Sequence, residues 1–284
     1  MSIANFFILG NPRSGTSLLR SLLNAHNEVV VPPECGFALW LKDAWFSADF
    51  SSPNVQFEFL KAVQASRKFE TWQLNMNELS AGLASRPVRN YADAVSRIYE
   101  TYGLSRNKKV GIWGDKNNYY ISQIPELRIL FPEAKYVHIV RDVRDVACSY
   151  MELAKTNISS KYRPVLTVEP EGIAKEWMAN NLAALDILEG SNIYLRIRYE
   201  DLVSNVEYTI SNVWRFLGLV DSGSFSESAH LETLDEPEEF MQWKKKLNSP
   251  VDTSSVGRYK SELPAAATNV ITTICRPLLE RFGY

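Results

Sequence analysis

The sequence predicts a single α/β domain in which helices flank a parallel sheet that carries a P-loop-type phosphate-binding loop. Three observations support this fold class. An apolar strand at 6–9 is followed by a turn rich in Pro, Arg and Gly, and a helical pattern begins directly after it. The segment 135–140 is a near-continuous apolar and β-branched run, which is typical of a strand buried on both faces. A second strand-to-helix junction, also with basic residues, follows that segment.

The other elements follow from short β-rich runs and longer helical patterns along the 284 residues. Further strands are predicted at 28–31, 110–113 and 192–197. Helices are predicted at 17–25, from near Glu34, over most of 38–103, before 130, after 145, and at 173–188, 205–217 and 264–282. The segment 156–172 has no sustained period and is predicted to be a long loop, and 221–255 is polar with two prolines.

Composition excludes several classes of protein. The chain is 45% hydrophobic and 23% charged, which is ordinary for a globular protein with a substantial core. A formal net charge of −2 gives no overall basic field, so we expect no nucleic-acid partner. Cys35, Cys148 and Cys275 are widely separated, which argues against a zinc site and a disulfide framework and favours a reducing compartment.

Targeting and metal signals are lacking in the sequence. The first strand begins almost at once, without a basic leader region, and no apolar run reaches membrane-spanning length. We therefore expect a cytoplasmic protein with no membrane span. The three histidines are not paired at ligand spacing, so we expect no metal.

The first junction has the chemistry of an anion site. Gly10 and Gly15 have the spacing of a Walker A loop, but Thr16 stands where that loop has its lysine. A triphosphate-hydrolysing site needs that lysine, so the loop is suited to a single 5′-phosphate group. The helix N-terminus supplies N–H donors and a positive dipole, Arg13 supplies a cationic fork, and hydroxyls follow at 16 and 17. The alternative is a Pro–Gly turn that binds nothing.

The second junction, at 141–145, presents Arg141, with Ser149 two helical turns further on. Two anion-binding junctions in one sheet suggest a ligand with two separate phosphates. The alternative is a surface charge cluster formed with Asp142 and Asp145. His138 lies inside the preceding strand and is expected to be a packed core residue.

Three further positions are candidates by their place in the chain. Glu34 follows the second strand, where a carboxylate could face the ligand or could simply favour a helix N-terminus. Lys116 follows the third strand and would enter the ligand crevice of an open sheet, or would be solvated. The cluster at 256–260 combines Gly, Arg and Lys after a polar segment and could fold over a phosphate.

Taken together, these segments resemble the sulfotransferases that use 3′-phosphoadenosine 5′-phosphosulfate (PAPS). The segment 12–17 is similar to that family's 5′-phosphosulfate loop, and Arg141 with Ser149 is similar to its 3′-phosphate motif. Tyr199 in RYEDL and VGRYK at 256–260 occur in the family's order. The resemblance implies that the donor is bound by Arg13, Ser14, Gly15, Thr16, Ser17, Arg141, Ser149, Tyr199, Val256, Gly257, Arg258 and Lys260.

Within this family, the PRSGT spelling resembles the tyrosylprotein sulfotransferase-like branch, and the likeness extends through His26 to Glu34. It implies that Glu34 is the catalytic base and that Lys116, in GDKNN, and Arg13 are catalytic. His26 and His230 are the next candidates for the base. A serine that the tyrosyl enzymes place before the final glycine motif has no clear counterpart in 242–249.

The resemblance implies sulfuryl transfer, without a metal, to a hydroxyl of a small molecule, carbohydrate, lipid or peptide. It implies one sulfotransferase domain over 1–284, with insertions around 38–105, 156–172 and 221–256 that shape the acceptor site. Two alternatives remain at this stage. A small-molecule kinase of the same fold is disfavoured by Thr16, and a non-catalytic nucleotide-binding protein is disfavoured by the presence of Glu34 and Lys116.

Overall fold

A computed structural model describes residues 4–220, 231 and 234–284 of the chain. The described part contains a five-stranded sheet in the order β2-β3-β1-β4-β5, in which every neighbouring pair is parallel. The strands are β1 Ala4–Leu9, β2 Val29–Val30, β3 Ile112–Lys116, β4 Lys135–Val140 and β5 Tyr194–Arg198. This confirms the predicted α/β class with a parallel sheet.

The strand order determines where a ligand can enter. After β1 the chain builds β2 and β3 on one side of it, and then crosses to build β4 and β5 on the other. Open parallel sheets bind ligands at the carboxyl ends of the strands, where the order reverses in this way. Here that point lies between β1 and β4.

Helices cover the sheet, and they are numbered here in chain order. They are α1 Thr16–Asn24, α2 Phe37–Trp40, α3 Lys42–Trp45, α4 Pro53–Gln64, α5 Met76–Ala84, α6 Tyr91–Ser105, α7 Ile124–Leu130, α8 Val143–Lys155, α9 Pro170–Leu188, α10 Tyr199–Ser204, α11 Val206–Leu217, α12 Glu238–Lys244, α13 Tyr259–Glu262 and α14 Ala265–Phe282. Short 3-10 helices span Phe69–Trp72, Asn118–Ser122 and Lys245–Asn248.

The two faces of β1 are buried against different helices. Phe6 and Ile8 pack with residues of α1, α10 and α11, whereas Phe7 and Leu9 pack with residues of α6 and α7. Alternate side chains of a strand point to opposite faces, so an apolar run of this kind requires cover on both. Each fully buried side chain of this size contributes about 1.5–3 kcal/mol relative to exposure.

Several predicted boundaries differ from the structure. The helix expected near Glu34 begins at Phe37, after a bend in which the Trp72 indole N–H donates to the Pro33 carbonyl at 2.8 Å. Strand β3 extends to Lys116, so this lysine ends the strand, paired in register with Ile8, and does not follow it. Helix α9 begins at Pro170, because proline is well tolerated in the first turn of a helix.

The predicted insertions form regular secondary structure over only part of their length. The helical prediction for 38–103 is confirmed by α2 to α6. In 221–256, the structure adds helix α12 and a 3-10 turn that the sequence did not predict, while 221–230, 232 and 233 lie outside the described residues. Within the described ranges, none of the helices combines the length and apolarity needed to cross a bilayer.

Candidate active site

Each of the five strands contributes one candidate residue to the same edge of the sheet. Arg13 follows β1, Glu34 follows β2, Lys116 ends β3, Arg141 follows β4 and Tyr199 follows β5. Because all five strands are parallel, their carboxyl ends lie at one edge. Residues that are far apart in the chain are therefore brought together there.

The loop between β1 and α1 is built around two left-handed residues. Arg13 has a φ of 66° and Gly15 a φ of 95°. A Cβ atom at Gly15 would lie 2.5 Å from the Tyr199 ring, and one at Gly10 would lie 2.8 Å from the Thr16 methyl carbon. Both glycines therefore let the backbone pack more closely than any other residue would allow.

The N-terminus of α1 has polar groups available for an anion. Gly15 caps this helix without a side-chain hydrogen bond, and its first turn contains no acidic residue. The Ser14 hydroxyl is completely buried and has no hydrogen-bond partner among the residues described. Thr16 donates to the Asn118 side chain at 3.2 Å, and Ser17 is half-buried in the same turn. Free amide N–H groups and a positive dipole make such an end a good phosphate site.

The second junction contacts the first directly. One Arg141 amino group donates to the Arg13 carbonyl at 3.0 Å, and the other donates to the Ser255 carbonyl at 2.6 Å. The Arg141 guanidinium lies 4.4 Å from the centre of the Tyr199 ring, and its Nε has no partner within the described ranges. Tyr199 thus touches both the glycine of the loop and the arginine of the second junction.

Arg13 extends from the first junction to the second. Its Nε donates to the Ser149 hydroxyl at 2.9 Å, and its Nη1 donates to the Trp243 carbonyl at 3.0 Å. Burial, reinforced by repulsion from Arg141, lowers the pKa of the Arg13 guanidinium. Two neighbouring guanidinium groups whose partners here are neutral favour an anionic ligand.

The cluster at 256–260, called the C-terminal cluster below, is attached to α8 through its backbone. The Asp145 carboxylate accepts hydrogen bonds from the amides of Gly257 at 2.7 Å and Tyr259 at 2.9 Å. The Arg258 side chain forms an ion pair with Glu152 at 2.9 Å. The side chains of Val256 and Lys260 are exposed at the surface.

Glu34 and Lys116 form the other half of the site. Lys116 is 2% exposed, and its ammonium lies 3.3 Å from one oxygen of the Glu34 carboxylate. The Lys68 ammonium lies 2.6 Å from the other oxygen. Burial opposes ionisation of Glu34, but attraction from Lys116 and Lys68 outweighs it and holds the pKa of this carboxyl well below its usual range. Glu34 is thus an ionised carboxylate held between two cations.

A network of buried charges extends behind this pair. Lys244 contacts the fully buried carboxylate of Glu236, which also accepts from Arg20 at 2.9 Å. Burial lowers the pKa of Lys244 to about 8, although attraction from Glu236 opposes the shift. Arg20 also pairs with Asp235. Lys244 also attracts Glu34 electrostatically. The network therefore connects Arg20 of helix α1 to the Glu34 carboxylate.

A cavity of about 560 Å³ opens on the far side of the network. It is lined largely by carboxylates: Glu70, Thr71, Gln73, Arg106, Asp235, Glu236, Pro237, Glu238 and Glu239. None of the predicted donor residues lines it. The negative charge of this cavity repels anions, so it does not suit a ligand that carries phosphate groups.

Asp115, next to Lys116 in β3, is an additional buried carboxyl group. It accepts hydrogen bonds from the hydroxyls of Tyr99 and Tyr120. Burial raises the pKa of Asp115 to about 6, and the tyrosine hydrogen bonds limit the rise. These contacts link the end of β3 to α6 and to the following 3-10 helix.

The histidines have structural contacts. His26 packs edge-on against Trp214 with ring centres 5.0 Å apart. His138 lies in the core as predicted, with Nδ1 2.8 Å from the Tyr194 hydroxyl, and burial lowers its pKa to about 3. His230 lies outside the described residues.

Sequence reasoning missed several members of the site. Lys68 and Lys244 are lysines in polar or helical segments, a setting in which a lysine is usually solvated. The sequence suggests for Asp145 only a place in a surface charge cluster. The stretch 242–249 lacks the serine of the tyrosyl enzymes, yet it supplies the Trp243 carbonyl and Lys244.

Comparison with known proteins agrees with this geometry. A model of the sulfotransferase family matches residues 5–222, which is most of the chain. The nodulation protein NoeE of Sinorhizobium fredii is 25% identical over 291 residues, covering 98% of this chain and 65% of that protein. Protein-tyrosine sulfotransferase 2 of Gallus gallus is 25% identical over 288 residues, covering 98% of this chain and 68% of that protein. The chain thus spans about two thirds of the length of these relatives.

Solved structures show the same fold. The sulfotransferase domain of the Synechococcus PCC 7002 olefin synthase is 23% identical with a TM-score of 0.62, covering 100% of this chain and 96% of that one. A sulfotransferase domain from the curacin biosynthetic pathway is 20% identical with a TM-score of 0.62, covering 97% of each chain. The family match and the shared fold together lead to one conclusion: the chain belongs to the sulfotransferase family.

Proposed function

We propose that the protein transfers a sulfuryl group from PAPS to a hydroxyl group of an acceptor. The observation that carries this proposal is the direct contact between the two anion-binding junctions. The Arg141 guanidinium donates to the Arg13 backbone, and the Arg13 guanidinium donates to Ser149. A donor with phosphates at two separate positions on one adenosine suits two such junctions.

Different residues would hold the two ends of the donor. The amides at the start of α1, with Ser14, Thr16 and Ser17, would hold the 5′-phosphosulfate, and Gly15 would allow its close approach. Arg141 and Ser149 would hold the 3′-phosphate. Binding would then replace the carbonyl of Ser255 as a partner of Arg141 with a charged oxygen, which forms a stronger hydrogen bond.

The chemistry needs a base for the acceptor and a cation for the leaving group. Glu34 takes the proton of the acceptor hydroxyl while the acceptor oxygen forms a bond to sulfur. The bond between sulfur and the bridging oxygen breaks, and its electron pair stays on the departing phosphate. Lys116 and Arg13 stabilise the negative charge that develops there. The ionised Glu34 carboxylate can accept a proton, and it would become a stronger base as Lys116 turns from it toward the departing phosphate.

The acceptor could belong to several classes of hydroxyl-bearing molecule. The names of the relatives include protein-tyrosine sulfotransferases and a nodulation protein. We propose a hydroxyl-bearing acceptor, which covers small molecules, carbohydrates, lipids and peptides, and we propose a cytoplasmic location.

Transfer of labelled sulfate tests the proposal. Sulfate-labelled PAPS would be incubated with the protein and cell extracts, and the labelled product identified by mass spectrometry. Glu34→Gln is expected to reduce turnover with that product's acceptor by about 10²–10⁴-fold, because the base is lost. Binding of 3′-phosphoadenosine 5′-phosphate (PAP) should be spared.

The matched control is Glu58→Gln, which removes a carboxylate from an exposed ion pair with Lys61 and should leave turnover unchanged. Wild-type turnover in Glu34→Gln would show that the base lies elsewhere. Magnesium-dependent turnover of ATP, without sulfate transfer, would establish a kinase in place of a sulfotransferase.

A further inference from the structure

Lys68 is a half-buried lysine that the proposed chemistry does not use. Its side chain is 16% exposed, and its ammonium lies 2.6 Å from one Glu34 carboxylate oxygen, whereas Lys116 contacts the other. The residue has a φ of 73°, a left-handed conformation that residues other than glycine rarely adopt. Such a conformation persists only where the surroundings fix it.

All three predicted insertions meet at this ammonium group. Lys68 itself belongs to the first insertion, at 38–105. The ring of Tyr162, from the insertion at 156–172, has its centre 5.9 Å away. The ring of Phe240, from the insertion at 221–256, has its centre 5.3 Å away. Aromatic faces attract a cation within about 6 Å, so both rings help to hold the ammonium in place.

We propose that Lys68 is a positioning residue, which fixes the Glu34 carboxylate in its ionised form from the side opposite Lys116. The inference rests on the proposed function of Glu34 as the base. Its consequence is a division of tasks between two lysines. Lys116 becomes free to turn toward the departing phosphate, while Lys68 keeps Glu34 charged and oriented.

The surrounding charges show why Lys68 matters for Glu34. Besides Lys68, the charged groups that act on this carboxylate are Lys116 and Asp115 from β3 and Lys244 from α12. Lys68 is the partner of the second carboxylate oxygen, so its loss leaves that oxygen buried without a cation. A buried carboxylate that loses a paired cation binds its proton more tightly.

The experiment is a pH titration of Glu34 followed by nuclear magnetic resonance. The side-chain carboxyl carbons of glutamate would be labelled with carbon-13, and the Glu34 signal assigned by its loss in Glu34→Gln. The titration would run from about pH 7 down to the lowest pH at which the protein stays folded, because the wild-type midpoint lies well below the usual range of this group. In Lys68→Met the midpoint should rise, corresponding to at least about tenfold tighter proton binding than in the wild type. Lys68→Arg should restore most of the wild-type behaviour.

Lys61→Met is the matched control, because Lys61 pairs with Glu58 at the surface. It should leave the Glu34 titration unchanged. A Lys68→Met curve that overlays the wild type would overturn the proposal, as would an equal rise in Lys68→Arg. If Lys68→Met does not fold, Lys68→Gln is titrated by the same criteria. A shifted titration combined with full turnover in Glu34→Gln would overturn the role of Glu34 as the base and leave the contact with Lys68 intact.

Discussion

Gly15 is constrained in two independent ways at the scale of a single residue. Its φ of 95° lies in the left-handed region, and a Cβ atom would be placed 2.5 Å from the Tyr199 ring. The left-handed conformation costs an L residue roughly 1–2 kcal/mol. The collision adds to that cost and would shift either the loop or Tyr199.

We therefore predict that Gly15→Ala destabilises the protein by more than the left-handed cost alone and weakens PAP binding. Gly190→Ala is the matched control, because Gly190 has a φ of 78° and open space around its Cα. Denaturant unfolding would measure both stabilities, and calorimetry would measure PAP affinity. Equal stability losses in the two variants, with wild-type PAP affinity in Gly15→Ala, would contradict this account of the loop.

Sequence reasoning at this scale succeeded where neighbouring residues carry the signal. The loop at 10–17 contains its glycines, its arginine and its hydroxyls within one short segment, so its chemistry can be predicted locally. Lys68 could not be predicted, because its environment depends on Glu34, 34 positions away, and on rings from two other segments. The pKa of Lys244 likewise depends on its burial in the folded protein, and then on its contact with Glu236.

At the scale of elements, helix α8 organises the second junction. Its first turn carries Asp145, whose carboxylate binds two backbone amides of the C-terminal cluster. The Arg144 guanidinium also lies 4.2 Å from the centre of the Tyr259 ring. The helix that follows β4 therefore places both Ser149 and the segment from Ser255 to Tyr259 beside Arg141.

We predict that Asp145→Ala releases this segment, lowers the stability by roughly 1–3 kcal/mol through loss of an acceptor for two amides, and weakens PAP binding. Asp145→Asn keeps an oxygen acceptor and should give smaller losses. Urea unfolding and calorimetry would measure the two effects.

The control for this series is Asp201→Ala, since the exposed Asp201 side chain makes a long contact to Arg198 at 3.9 Å, and its backbone contacts to Asn205 and Thr209 are kept in the variant. It should leave both quantities unchanged. Unaltered PAP binding in Asp145→Ala would show that the C-terminal segment does not contribute to the donor site.

The ends of several helices and strands are determined by contacts between residues far apart in the chain. A local sequence pattern does not reveal such contacts. The bend at Glu34 is fixed by the Trp72 side chain, which arrives from a distant segment. Strand β3 continues to Lys116 because it pairs with β1 along its whole length, although Gly114 and Asp115 are poor strand formers. Helix α12 buries Phe240 and Trp243, although its sequence has no helical periodicity that would predict this.

At the scale of the whole molecule, the parallel sheet is what assembles the site. Strands β1 and β4 at its centre were predictable because strands buried on both faces are near-continuously apolar. The shared direction of all five strands then brings the five candidate residues to one edge. The packing of the insertions against that edge was not predictable, because it is determined by contacts across the fold.

The central claim is that the two junctions bind the two phosphate groups of one nucleotide, and calorimetry with PAP and with adenosine 5′-phosphate tests it most directly. Arg141→Ala removes the guanidinium assigned to the 3′-phosphate. A hydrogen bond to a charged group contributes roughly 1.5–3 kcal/mol, so PAP affinity should fall by roughly 10- to 100-fold. Affinity for adenosine 5′-phosphate should change little, and Arg215→Ala, on the outer surface of α11, should affect neither ligand. Equal losses for the two nucleotides, or no preference of the wild type for PAP, would contradict the account.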